Sequence, residues 1–370
     1  MNKKGSVKFV NPDQHLFYQT LKENVNRYFK ENGISTHANA QMVTKTIVLF
    51  IMYLAPYVLL MTTPMSYGLA LGLWSLMGVA FAGIGMSVMH DANHGAYSDS
   101  PGVNKMMGYS LNMVGSMVFN WKLQHNILHH TYTNITGLDE DIQAKAGMRF
   151  TPNVPLNKPH RWQFIYVFGL YGIMTLYWII FKDFFQLVRY RKQGVNAASS
   201  REYRMQFIKL LAIKAIYFFA IIAAPIIWAG FGFWQVALGF VVMHVVGSFI
   251  LSLVFQLAHT VEGTDHPTPD KDGIVHNIWA VHQLQTTMNF ARKNKVLSWY
   301  VGGLNFQVEH HLFPKICHVH YPKIAPIVKQ TAEQFNIPYL ENETFWIALR
   351  SHLRLLYDLG RIPKLDDIMD

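Results

Sequence analysis

One cysteine, Cys317, is all the chain contains, so neither an internal disulfide nor a cysteine-liganded zinc cluster can form. That usage fits a reduced compartment for the polar parts. Charge is scarce too. Asp, Glu, Lys and Arg make up 15% of residues, against about 25% in an ordinary soluble domain. Hydrophobic residues reach 51% and mean hydropathy is +0.13, which makes lipid part of the solvent. The opening residues Met1-Asn2-Lys3-Lys4-Gly5 lack the apolar core of a signal peptide. A net charge of +10 over 370 residues would suggest nucleic acid in a soluble protein. In a membrane protein it marks cytoplasmic loops and anionic headgroups, so no nucleic-acid partner is expected. With no internal repeat or low-complexity tract, the chain reads as a single domain over residues 1–370.

What is present in quantity is long apolar sequence. Four stretches, near 46–64, 67–89, 207–229 and 234–257, are long enough to cross about 30 Å of hydrocarbon as helices. Short uncharged links join the first two and the last two, predicting two helical hairpins. A fifth stretch, near 162–181, carries Trp162, Tyr166, Tyr171, Tyr177 and Trp178 and suits a helix lying in the interface. Lys3, Lys4, Lys8, Lys22, Arg27, Lys30 and Lys45, then Lys182, Arg189, Arg191, Lys192, Arg201 and Arg204, place both termini and the long segments in the cytoplasm. Phe17, Leu21, Val25 and Phe29 recur every four residues and predict an amphipathic helix before the membrane.

The chain has 18 histidines, and they are clustered. His90 and His94 follow the second span, and His125, His129 and His130 come after a short apolar segment. His259 ends the fourth span, and Gln307, His310 and His311 lie beyond it. At about 100° per residue, His90 and His94 share one helical face, as do His125 and His129. On the same spacing His130 points about 140° away from His125, towards a second ion. Neutral imidazole binds iron, zinc, copper and nickel. Eight histidines exceed what one tetrahedral zinc takes, so the set predicts a dinuclear site at one rim of the bilayer.

These groups resemble the three histidine boxes of the membrane fatty acid desaturases. The likeness extends to Trp121, to Thr131-Tyr132-Thr133-Asn134 and to the run from Gly302 to Pro314. It implies an all-α integral membrane protein: four transmembrane helices as two hairpins, interfacial helices, and a cytoplasmic helical cap holding a di-iron site, in the cell inner membrane. It also implies two irons ligated by His90, His94, His125, His129, His130, His259, His310 and His311, with dioxygen as co-substrate and a cis double bond as product. Gln307, in place of a histidine, resembles the front-end group, which includes linoleoyl-CoA (delta-6) desaturases. That resemblance points to an acyl-CoA substrate, with an acyl lipid or carrier-bound chain as alternatives. Gln307 and His282 are candidates for contact with the metals or their ligands. Asp91 and Glu309 either orient neighbouring imidazoles or are solvated.

Many front-end enzymes carry a fused cytochrome domain with a His-Pro-Gly-Gly motif. That motif is absent, so electrons are expected from a separate ferredoxin, or a b-type cytochrome with its reductase. The competing readings are a hydroxylase of the same histidine-rich superfamily and a haem-binding electron-transfer membrane protein. His244, in mid-span, is expected to make a packing hydrogen bond. Supporting roles are open for His276, His318 and His320, and His15, His37, His160, His266 and His352 read as surface residues. Gly83, Gly85, Met86, Met113, Gly115, Met117 and Gly247 fit either a tunnel lining or helix packing.

Overall fold

A computed structural model describes residues 7–142 and 147–363; Lys3 and Lys4 of the basic set lie outside the described residues. The helices that position the site are α1 (His15–Asn32), α2 (Ala40–Thr62), α3 (Tyr67–His94, interrupted at Ser87), α4 (Lys158–Lys192), α5 (Ser200–Trp228), α6 (Phe233–His259), α7 (Trp279–Thr286), α8 (Gln307–Leu312), α9 (Tyr321–Gln334) and α10 (Phe345–Leu359). Among the described residues, α2 to α6 are the five long and apolar enough to cross a membrane. By that measure α4, which contains the interfacial stretch 162–181, stands level with the four predicted spans. The chain divides into two compact units. Residues 7–38, 124–168 and 254–363 belong to one, and 39–123 and 169–253 to the other.

The first unit is built around the four-residue repeat of α1. Phe17, Leu21, Val25 and Phe29 are all buried, and their partners are Ile324, Ala325, Val328 and Ala332 of α9 with Val308 and Leu312 of α8. The predicted amphipathic face thus meets protein rather than lipid. Gly33 ends α1 at φ 59°, a left-handed cap that glycine adopts without a Cβ penalty. Two short parallel pairings, Lys8–Phe9 with Ile274–Val275 and Asn289–Phe290 with Glu341–Asn342, fasten the connecting segments. Each large side chain removed from water here contributes about 1.5–3 kcal/mol. Leu21→Ala is expected to cost about 2–5 kcal/mol, read as a lowered thermal midpoint in detergent.

In the second unit α2 and α3 pack along one another, and α3 meets α6 through glycines. A Cβ on Gly247 would lie 2.1 Å from the Phe81 ring, and one on Gly78 would lie 2.4 Å from the Met243 carbonyl oxygen. Gly115, at φ 79°, lies under the Tyr217 ring. Helix packing therefore accounts for Gly115 and Gly247. Gly247→Ala should destabilise by about 1–3 kcal/mol through overpacking; an unchanged melting temperature would contradict this contact. Two buried polar clusters here are internally paired. His244 contacts Thr175 Oγ1 at 3.0 Å and Tyr217 Oη at 2.7 Å, the packing role expected of it. Lys214 donates to Asp183 and to the Gly115 carbonyl, both at 2.6 Å, while Met117 N–H and Trp178 Nε1–H also donate to Asp183. A buried ion pair needs such additional bonds to offset its desolvation.

Candidate metal centre

The segment carrying His125, His129 and His130 is not a simple α-helix. Leu123–His129 winds as a π-helix before a last α turn at His130–Tyr132. Its i→i+5 pitch overturns the ring geometry expected from α-helical spacing. His125 and His130, five apart, face one another with Nε2 atoms 3.2 Å apart instead of diverging. His125 and His129 remain close, with ring centroids 5.4 Å apart.

His259 from the end of α6 and His310 and His311 from α8 complete a cluster in the first unit. Its six imidazoles are all buried. One ligand nitrogen from each of His129, His259 and His311 lies within 4.8 Å of the others, and the same holds for His130, His310 and His311. His90 and His94 belong to the second unit, with rings 4.8 Å apart and both packed edge-on against Trp121.

The outer ring nitrogens explain what this arrangement can hold. His129 Nδ1 lies 3.1 Å from Asp139 Oδ2, His311 Nδ1 lies 2.8 Å from Gln283 Oε1, and His259 Nδ1 lies 3.4 Å from the Thr286 carbonyl oxygen. Each of these partners accepts, so each Nδ1 carries the proton and each Nε2 keeps its lone pair. The Nε2 atoms of His129 and His311 are buried with no hydrogen-bond partner. Buried acceptors without donors are costly, and a cation would satisfy both. The nitrogen donor set suits iron, zinc, copper or nickel. Burial alone would lower the pKa of His129, but the Asp139 carboxylate, helped by Asp141, holds it above the ordinary histidine value. Burial and the neighbouring rings push His311 far below it.

The supporting residues are the part that sequence reasoning missed. Asp139, fully buried, also accepts from the backbone N–H groups of Asn134 and Asp141 at 3.0 Å each. Thr133 Oγ1 bonds the His129 carbonyl and Gln283 Oε1, linking the second and third boxes. Asn134 takes φ 58°, a left-handed conformation that asparagine tolerates. From there its amide donates to the carbonyls of His259, Asp265 and Thr286. The only available signal was the polar run Thr131 to Asn134 followed by Asp139-Glu140-Asp141.

The remaining candidates divide. Gln307 sits beside the ligand atoms, its Nε2 2.8 Å from His259 Nε2, and its Oε1 is buried without a hydrogen-bond partner. Glu309 is neither solvated nor bonded to a ring: it is fully buried and accepts from Tyr339 Oη and Asn289 Nδ2. Burial raises its carboxyl to about 7 against those bonds. Asn289 also accepts from the Val308 N–H, so this network clamps α8. Asp91 is buried in the same turn as His90. His282 packs on Phe9 and belongs to neither triad; burial lowers its pKa to about 4. His276 is exposed and meets Asp270. His318 and His320 are buried, the latter 2.9 Å from the His37 carbonyl oxygen.

Two residues read as surface histidines are buried. His352 Nδ1 lies 2.6 Å from the Thr260 carbonyl oxygen, and His160 Nδ1 accepts from the Asn157 N–H. His352 faces inward because α10 is amphipathic, a pattern the sequence reading passed over, and His160 because it closes a capping box with Asn157 at the start of α4. His15 is exposed, and His37 and His266 are half-buried.

Comparison with known proteins meets this geometry. The family model for fatty acid desaturases matches residues 66–342. An sn-1 linoleoyl-lipid 6-desaturase of Synechocystis sp. is 33% identical over 93% of this chain and 96% of its own length. Its counterpart in Arthrospira platensis is 32% identical over 94% of each. An acyl-lipid (8-3)-desaturase of Physcomitrium patens is 34% identical over 97% of this chain and 74% of the relative. A match this long, spanning the boxes that build the buried imidazole cluster, shows that the chain belongs to the fatty acid desaturase family, oxidoreductases that act on fatty acyl chains.

Proposed function

We propose that this desaturase introduces a cis double bond near the carboxyl end of an acyl chain esterified to a membrane lipid. It would use two irons held by His90, His94, His125, His129, His130, His259, His310 and His311. The observation that carries the reading is the convergence of lone pairs from His129 and His311 in a buried site where the outer nitrogen of each is tied to an acceptor. His90 and His94 join the set on the strength of their box spacing. When bound, the irons would supply dioxygen chemistry strong enough for an unactivated C–H bond, which side chains cannot attack.

The residues around them do the rest. Asp139, Gln283 and the Thr286 carbonyl hold His129, His311 and His259, respectively, in the tautomer that presents Nε2. Phe255, 5.1 Å from His129 and 5.0 Å from His259, keeps water from that side. Removing two hydrogens while reducing dioxygen to two waters needs two electrons and two protons from outside. A separate ferredoxin, or a b-type cytochrome with its reductase, would deliver the electrons.

Chain parity supports keeping α4 in the interface. The second box precedes α4 and the third follows α6, yet the two meet within one unit. With α5 and α6 crossing the bilayer, a crossing α4 would put the boxes on opposite faces. We therefore read four spans, and the basic segments favour termini and site on the cytoplasmic side of an inner membrane.

The linoleoyl-lipid and acyl-lipid names of the relatives favour a glycerolipid-bound chain over the CoA ester expected from sequence. Expression in a host of defined lipids, with gas chromatography–mass spectrometry of separated lipid and acyl-CoA pools, tests this. The expected product has lost two hydrogens, carries its new bond at the 6 position and appears first in intact lipids. Gain of one oxygen, or first appearance in acyl-CoA, would overturn the reading.

A further inference from the structure

Helix α10 is held tightly on one face and bare on the other. Its inner face is anchored by His352 on the Thr260 carbonyl, by Ser351 accepting the Glu262 N–H and by Gln163 donating to the Leu356 carbonyl. Arg149 donates to the Leu359 and Ile362 carbonyls at its C-terminal end. Its outer face carries Trp346, 73% exposed, with Ile347 and Tyr357. Between that face and the start of α4 runs a groove of about 430 Å³ walled by Phe164, Trp346, Leu349, Leu353 and Tyr357. Arg350 and Arg354 stand on its rim, and neither has a carboxylate partner among the described residues.

We propose that this groove seats an anionic phospholipid, its acyl portion along the aromatic wall and its phosphate between Arg350 and Arg354. Three features select that occupant. The wall is apolar and aromatic, and two guanidiniums, which match phosphate geometry, stand where a headgroup would lie. The groove also runs into the exposed apolar surface of α4, where Trp162 and Ile165 are exposed and Phe164 packs on Tyr357 at 5.3 Å. Helix α4 meets the headgroup layer at this end whether it crosses the bilayer or lies in the interface. The proposal is independent of the desaturase chemistry, since no wall residue belongs to the histidine cluster.

Native mass spectrometry of the full chain in detergent, with equimolar phosphatidylglycerol and phosphatidylcholine, tests it. One phosphatidylglycerol should be retained in preference to phosphatidylcholine, and millimolar inorganic phosphate should not displace it. Each basic residue near an anionic surface strengthens attraction about fivefold, so the Arg350→Gln, Arg354→Gln pair should weaken retention about thirtyfold. The Arg350→Lys, Arg354→Lys pair, which keeps the charge but loses the guanidinium fork, should retain lipid to a degree between wild type and the glutamine pair, and both pairs should keep desaturase activity. Equal retention of phosphatidylcholine, displacement by phosphate, or an unchanged glutamine pair would overturn the proposal. So would a glutamine pair that holds lipid normally but accepts electrons poorly from an acidic donor, because that result assigns the face to a protein partner.

Discussion

His129→Ala should abolish measurable desaturation, with a loss of at least about a hundredfold in product formed per enzyme. Changing only the groups behind a metal ligand costs about 10–100-fold, and this substitution removes the ligand itself. His129 lies within 4.8 Å, nitrogen to nitrogen, of His259 and His311, so its loss opens one corner of the cluster. It also leaves the fully buried Asp139 carboxylate facing a void, a costly uncompensated charge. Bound iron per chain, measured by atomic emission alongside product analysis, should fall in parallel. A variant with full activity and full iron would exclude His129 from the site.

The second large effect is expected from Asp139, which stands behind the His129 ring. In Asp139→Asn, three donors still point at the side chain: His129 Nδ1–H and the backbone N–H groups of Asn134 and Asp141. An amide has one oxygen for them, and its NH2 group turned to the ring would favour the tautomer with the proton on Nε2. That tautomer has no lone pair for a cation. Metal affinity should drop about 10–100-fold, so activity should recover in part when iron is raised, which a purely folding defect would not do. Asp139→Asn that melts as wild type and holds iron as tightly would end the positioning role.

The sequence carried a good deal of this outcome. Apolar length and scarce charge announced the five long helices, because a helix in lipid must be written as a continuous apolar run. The four-residue repeat of α1 announced its buried face, although its periodicity was silent on whether protein or lipid would cover it. Box spacing announced which histidines to watch and supported the family likeness that the long match then showed. It misjudged their orientation at the second box, because one π-helical segment at Leu123–His129 changes every angle that a 3.6-residue period implies.

Chemistry on consecutive residues was thus determined by the sequence itself: helix, apolar face, imidazole, and the left-handed tolerance of Asn134. Tertiary structure alone decided which acceptor stands behind each ring. Asp139 is ten residues from His129, Gln283 is 28 from His311 and Thr286 is 27 from His259. Such pairings depend on turns and helix packing accumulated over the intervening chain. A local pattern is blind to that sum, and so Glu309, His160 and His352 were found inside the protein where composition alone had left them exposed or undecided.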